Sequence, residues 1–257
     1  MKLQLIRNAT LLLDYAGHHL LIDPFFAPRQ SRPSYVGNGD NINPMTELPL
    51  TPEQILEGVE LVIVSHLHSD HFDPVAYDRV PKHLPLLCQP GNETFIREKG
   101  FQNVRVVEDD LSWKGIHITR TNGHHGTGEV ETMMGTVSGF VFQAQGEPTL
   151  YWAGDTILCD EVRTAIARFH PHVVVTHSCG AEWADSAGQR SLIVMDDAQT
   201  ITTCKYASEA VVIATHMETL DHSTISRAAL RMAAQQGGIS EEWLHIPADG
   251  DCIDIRV

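Results

Sequence analysis

The sequence predicts an α/β fold in which two β-sheets pack face to face with helices on the outside. Three observations carry this expectation. The first residues, KLQLIR, ATLLLDY and HHLLID, alternate like strands, and the last two read as a hairpin turning at Ala16-Gly17. From residue 52 onward short apolar strands alternate with amphipathic helices, and strands followed by mixed elements occur twice along the chain. No repeat, low-complexity tract or linker interrupts the chain, so residues 1–257 read as one domain.

The elements follow in order. Residues 24–51, PFFAPRQSRPSYVGNGDNINPMTELPLT, hold Pro, Gly and Asn with no sustained period. A loop of that length in a compact domain is commonly a lid or a cleft wall, with a plain surface excursion as the alternative. PEQILEG begins a short helix, and ELVIVS is a buried strand. PVAYDRV is helical, LPLLC a strand, NETFIREKG a helix ending at Gly100, and NVRVV a strand. GIHITR, VSGFVFQAQ and PTLYWAG are consecutive strands of the second sheet. EVRTAIARFH is an amphipathic helix, HVVVTHS a strand and MDDAQTITTCKYA a helix. VVIATH is then a strand, and STISRAALRMAAQQGG a helix stopped by its glycines.

Composition narrows the function. The chain has 257 residues and a formal net charge of −15, from 18 Lys+Arg against 33 Asp+Glu. Such a surface repels phosphate backbones, so nucleic acid is not an expected partner. A bound cation can still reverse the field locally for a small substrate. The opening MKLQLIRNATLLLDYAG lacks the pattern of a signal peptide, and no apolar run is long enough to span a membrane. Five scattered cysteines without CxxC spacing fit neither a disulfide framework nor a thiolate zinc knuckle. A cytoplasmic setting is the expectation, with a homo-oligomer left open.

The fifteen histidines matter for where they fall. Residues 65–73 read SHLHSDHFD, placing His66, His68, Asp70 and His71 directly behind the apolar LVIV. Three other strand ends carry candidate ligands: His124-His125 after GIHITRTNG, Asp155 after TLYWAG, and His216 after VVIAT. Strand-end loops are where rigid scaffolds present functional side chains. A lone histidine is more often a satisfied core or surface group, but four ligand types in H-x-H-x-D-H order are not lone. His66 and His68, two apart in extended chain, point the same way and can grip one ion. Asp70 and His71 follow the turn and can face a second, while a carboxylate at Asp155 can bridge both and offset their repulsion. Imidazole with carboxylate suits Zn first, then Mn or Fe.

SHLHSDH resembles the signature of the metallo-β-lactamase superfamily, whose members share an αββα four-layer sandwich. NATLLLDYAGHHLLIDP is similar to the family's opening hairpin, NGHHGTGE to its third-histidine motif, YWAGDT to its bridging-aspartate motif and ATHMETLDH to its last-histidine motif. Together they resemble the branch of L-ascorbate-6-phosphate lactonases and N-acyl-phosphatidylethanolamine-hydrolysing phospholipase D enzymes. The resemblance implies His66, His68 and His125 on one of two divalent metal ions, Asp70, His71 and His216 on the other, and Asp155 between them. His125 is preferred to His124 because it precedes Gly126, matching the family's His-Gly pattern.

Further residues have weaker claims. Asp23, in LIDPFF, braces the site as an outer acceptor. Asp73 has a similar claim, with N-capping of PVAYDRV as an equal reading. His177 and His222 are candidates for touching substrate, and Arg29 and Arg32 for reaching an anionic group or for plain solvation. The expected activity is hydrolysis of a small ester or lactone by a hydroxide shared between two ions, with Asp70 relaying its proton as the catalytic group. A phosphodiester hydrolase is the alternative on the same centre, and a non-catalytic metal-stabilised ligand-binding protein the alternative of another class. A diiron reductase would need a flavin domain that the chain lacks.

Overall fold

The fold is seen in a computed structural model that describes residues 1–37 and 39–255. Asn38, within the expected lid segment 24–51, and residues 256–257 of the expected domain lie outside the described residues. The chain opens with an antiparallel meander, β1 (Lys2–Arg7), β2 (Thr10–Tyr15) and β3 (His18–Ile22). Ala16 and Gly17 both have positive φ, the conformation of a tight hairpin turn matched to strand twist. Segment 24–51 contains a small ribbon, β4 (Arg32–Pro33) with β5 (Asn41–Asn43). Helix α1 (Pro52–Leu56) starts in a capping box between Thr51 and Gln54. Strands β6 (Leu61–Val64), β7 (Pro85–Cys88) and β8 (Asn103–Val106) then add in parallel, joined by α2 (Pro74–Arg79) and α3 (Glu93–Glu98).

The second half begins with β9 (Asp110–Trp113), β10 (Ile116–Asn122), α4 (Gly128–Met134), β11 (Ser138–Gln143) and β12 (Leu150–Trp152). It continues through α5 (Asp160–Phe169), β13 (Val173–His177), the ribbon β14 (Glu182–Ala184) with β15 (Arg190–Leu192), α6 (Asp197–Tyr206) and β16 (Val211–Thr215). Helix α7 (Arg227–Gln236), β17 (Leu244–His245) and β18 (Cys252–Asp254) close it. The last helix starts at Arg227 under a Ser226 cap, not at Ser223 as the sequence pattern suggested, because the Ser226 hydroxyl accepts from Ala229 N.

Two seven-stranded mixed sheets result, in the orders β18-β1-β2-β3-β6-β7-β8 and β17-β16-β13-β12-β11-β10-β9. Alternation along each strand builds the layers. Ile63 faces the other sheet, in one core with Leu5, Leu13, Ile118, Phe140, Trp152 and Val175, whereas its neighbour Val62 packs outward with Ile55, Ala76 and Ile96 of the helical layer. On the other side Tyr151 and Val174 pack beneath Val162, Ile166 and Leu230. Helix, sheet, sheet and helix are thus the four layers expected. Each fully buried Leu, Ile, Val or Phe stabilises this arrangement by about 1.5–3 kcal/mol before conformational entropy is counted. Strands β3 and β6 run parallel, as do β12, β13 and β16, so in each sheet these strands end at one edge. Those edges carry the site.

Candidate metal centre

The strand ends bring together residues far apart in the chain. Asp23 follows β3, the His66–His71 run follows β6, Asp155 follows β12, His177 ends β13 and His216 follows β16. Three non-glycine residues here, Asn8, Asp23 and His216, hold left-handed backbone conformations, with φ of 57°, 46° and 63°. Such conformations cost energy and persist where the surroundings over-determine them, as at sites. Gly154 turns β12 into Asp155 at φ +73°, where a Cβ would stand 2.6 Å from Ser138 O; only glycine fits.

Two groups of metal-type donors meet at Asp155. His66, His68, His125 and Asp155 form one; His71, His177, His216 and Asp155 form the other. The Oδ2 of Asp155 lies 3.7 Å from His66 Nε2, 3.4 Å from His125 Nε2 and 3.2 Å from His71 Nε2. Asp70 Oδ2 lies 3.1 Å from His216 Nε2 and 3.8 Å from His71 Nε2. Asp70 therefore reaches the second group as well as Asp155 does.

The outward hydrogen bonds fix which ring nitrogen faces inward. Ser65 Oγ donates to Asp23 Oδ2 at 2.7 Å, so its remaining bond to His66 Nδ1, at 2.9 Å, is accepted from the ring. That leaves the lone pair on Nε2. His71 donates Nδ1–H to Asp23 Oδ2 at 2.8 Å, and His125 donates Nδ1–H to Ile193 O at 2.6 Å. His68 is turned the other way: its Nε2–H donates to Met134 O at 2.9 Å, leaving Nδ1 free to ligate. The Nε2 atoms of His66 and His71 are buried without a hydrogen-bond partner. Buried polar atoms are almost always satisfied. Orphaned imidazole nitrogens aimed at a shared carboxylate fit divalent cations, and the nitrogen and oxygen donors suit zinc or manganese.

Electrostatics point the same way. Burial lowers the basicity of His66, helped by the neighbouring His71 and His68, and lowers His125 to about 4. Burial would raise the carboxyls of Asp70 and Asp155, but the imidazoles around them outweigh it and hold both well below the usual range. Burial would likewise depress His71, yet Asp155, Asp70 and Asp23 push it up to about 10. Two buried carboxylates thus demand nearby positive charge, which protons on His71 and His216 or bound cations can supply.

The sequence candidates are placed as follows. His66, His71, His125, Asp155 and His216 are buried in the cluster, and His68 and Asp70 line its open side. His124, next to His125, instead turns outward between Glu131 and Glu161. His177, expected at the substrate, is fully buried behind Asp155, with its Nδ1 on Asp155 Oδ1. His222 does face the cavity. Asp23 braces His71 and Ser65, whereas Asp73 caps α2 through Ala76 N and holds Phe26 N. Arg29 is exposed, and Arg32 donates to Ser69 O at 2.9 Å, tying segment 24–51 to the histidine run. Asn8, which donates to Asp70 O at 3.2 Å, was not legible beforehand. Nor was Cys179, whose Sγ lies 3.6 Å from His216 Nδ1.

Above the cluster lies a cavity of about 200 Å³, lined by His68, Asp70, His125 and Asp155 on its floor. Its walls are Tyr35, Met134, Trp183, Ile193, Val194 and His222, with no lysine or arginine among the described residues that line it. Tyr35 comes from segment 24–51, which Asp221 anchors through Tyr35 N and Asn43 Nδ2. Trp183 comes from the β14–β15 ribbon.

Comparison with known proteins gives a consistent pattern. Residues 18–217 match the family described as "Beta-lactamase superfamily domain". The chain is 35% identical over 255 residues to the UPF0173 protein YddR of Bacillus subtilis, covering 98% of each. It is 25% identical to a UPF0173 metal-dependent hydrolase of Xanthobacter autotrophicus, covering 83% of this chain and 86% of that one. Among solved structures it resembles an isothiocyanate hydrolase from Delia radicum gut bacteria, with TM-score 0.91, 35% identity and 99% of both chains covered. A possible metal-dependent hydrolase from Veillonella parvula matches with TM-score 0.93, 33% identity and 99% coverage of both.

Proposed function

Because the chain belongs to the beta-lactamase superfamily, among the UPF0173 metal-dependent hydrolases, we propose that it hydrolyses a small neutral substrate at an electrophilic carbon on a two-metal centre. His66, His68 and His125 would hold one cation, Asp70, His71 and His216 the other, with Asp155 between them. Bound there, the cations would acidify a water into a nucleophile near neutral pH and polarise the atom that accepts charge. Asp23 and Ile193 O keep the ligating rings in register through their Nδ1 atoms. Asp70, at the cavity floor and held ionised by its imidazole neighbours, would take the proton on the carboxylate oxygen that does not hold the cation and pass it to the leaving group.

The observation that carries this reading is the wall. Tyr35, Met134, Trp183, Ile193 and Val194 offer an apolar slot directly over the donor cluster. Beyond the cations themselves, no guanidinium or ammonium among the described residues lining the slot would meet a phosphodiester's charge, and the walls are mainly apolar, so a neutral ester or lactone is favoured over the phosphodiester alternative. An isothiocyanate is equally neutral and electrophilic at carbon, and a 35% identical relative is named as a hydrolase of that class. Tyr35 and its neighbours would make segment 24–51 one side of the cleft.

The test is a panel of small esters, lactones, alkyl and aryl isothiocyanates and an activated phosphodiester, assayed with the zinc- and manganese-loaded protein and with Asp70→Ala. Turnover of neutral substrates that Asp70→Ala loses is expected. Preferential cleavage of the phosphodiester would overturn the substrate class. Two bound metals without turnover of any compound would favour a metal-stabilised ligand-binding protein instead.

A further inference from the structure

The cavity over the donor cluster is not lined evenly. The Met134 carbonyl holds the His68 ring and the Ile193 carbonyl holds the His125 ring, which brings Met134, Ile193 and Val194 to that side of the slot. Trp183 joins them from the β14–β15 ribbon, whose second strand leads into Ile193. The side near Asp70 and His216 is polar instead. Tyr35 stands there with its hydroxyl 3.2 Å from Ser69 Oγ. The His222 ring lies 5.1 Å from the Tyr35 ring and 5.9 Å from the His216 ring, centroid to centroid.

Two observations single out His222. Its Nδ1 is sealed from solvent with no hydrogen-bond partner, whereas buried polar atoms are almost always satisfied. A proton on Nδ1 would have neither acceptor nor water, so the neutral ring carries it on Nε2, the nitrogen left to serve the cavity that the ring lines. The ring is also held in place from the next residue. The Asp221 carboxylate accepts from Ser34 Oγ, from Tyr35 N at 3.0 Å and from Asn43 Nδ2 at 2.7 Å, and Asp221 N donates to Asn43 Oδ1 at 3.0 Å. One carboxylate thus fixes Tyr35 and His222 to a single wall. A donor held rigid before substrate arrives is what charge stabilisation at a reacting atom requires.

Resting on the hydrolase reading above, we propose that His222 orients the substrate by donating Nε2–H to the heteroatom doubly bonded to the electrophilic carbon. The apolar substituent then lies at the other side of the slot, against Met134, Trp183, Ile193 and Val194. As the nucleophilic oxygen bonds to the carbon, the π pair moves onto that heteroatom, and the imidazole N–H meets the growing charge. The substrate class is accordingly a small neutral electrophile with one hydrocarbon substituent, and a charged or strongly polar substituent is selected against.

The test separates head from tail with the zinc-loaded full-length protein. Acetate, propionate, butyrate and benzoate serve as product-like probes, and their affinities are measured by calorimetry beside metal content. In the parent the aliphatic acids should tighten by up to about fourfold per methylene. His222→Phe keeps an aromatic ring against Tyr35 but removes the N–H, and should weaken every acid by a common factor of about 10–100 with the slope unchanged. On any substrate the parent turns over, kcat should fall by about 10²–10³-fold. His222→Gln restores an N–H and should recover part of both, whereas Trp183→Ala should flatten the slope. Parent-like affinities in His222→Phe overturn the proposal, as do no acid binding by the loaded parent and an unchanged slope in Trp183→Ala. Loss of zinc from both His222 variants also overturns it, since His222 would then merely support His216. A parent that binds the acids in this pattern yet hydrolyses nothing upholds the orientation and refutes the hydrolase reading alone, so the two failures are distinguishable.

Discussion

His177 Nδ1 meets Asp155 Oδ1, so the other oxygen of that carboxylate, Oδ2, is left facing His66, His71 and His125 at 3.2–3.7 Å. A histidine buried on all sides thus sets the rotation of the carboxylate that both donor groups share. Replacing His177 with Ala should weaken metal retention and lower turnover by about 10–100-fold, the usual effect of losing an outer partner of a ligand. His177→Gln, which keeps an N–H near Oδ1, should recover part of both. Metal content and kcat equal to those of the parent would reduce His177 to core packing.

Asp155→Asn keeps the shape and removes the charge between the two donor groups. The second ion should be lost or weakened, and hydrolysis should fall by about 10²–10⁴-fold or more. If Asp155 merely shaped the Gly-Asp-Thr turn, Asn would serve as well. Elemental analysis and turnover on one preparation separate the two readings.

His125 and His124 differ in what they face. His125→Ala should remove about one of two tight metal equivalents, because its Nε2 is 3.4 Å from Asp155 Oδ2. His124→Ala should keep both tight ions, since its ring lies between Glu131 and Glu161. Retention of both tight ions by His125→Ala would undo the assignment.

Metal uptake should release protons and strengthen with pH. His71 is pushed up to about 10 by Asp155, Asp70 and Asp23 against the effect of burial, so the metal-free protein holds its proton at neutral pH. A ligating imidazole must be neutral, and each proton displaced makes affinity about tenfold greater per pH unit below the raised value. Calorimetry in buffers of different ionisation enthalpy should report at least one proton released at pH 7. Buffer-independent heats would count against this linkage.

Tyr35 should affect substrate and not metal. Its hydroxyl lies 3.2 Å from Ser69 Oγ and its ring meets His222 edge-on, on the cavity wall. Tyr35→Ala should raise KM or shift preference within a series of substituents while two tight ions remain. Unchanged kinetics on a confirmed substrate would make segment 24–51 surface decoration.

Much of this was present in the order of residues. The hairpin turn at Ala16-Gly17, the buried strand LVIV ahead of SHLHSDH and the helices from 52 onward are local patterns, set by side-chain alternation and backbone preference within a few residues. The H-x-H-x-D-H spacing is local in the same sense, and it located one wall of the centre. Short elements escaped: β14, β15, β17 and β18 have two or three residues each, too few to show a period, and α4 begins inside the glycine-rich NGHHGTGE. What only the tertiary structure decided is which groups meet. Asp23 reaches His71 across 48 positions, Ile193 O turns His125 inward across 68, and His177 finds Asp155 from the neighbouring strand. The order of residues names donors at the strand ends. Which nitrogen points inward, and whether His124 or His125 does so, depends on hydrogen bonds and burial that exist only once the parallel strands lie side by side.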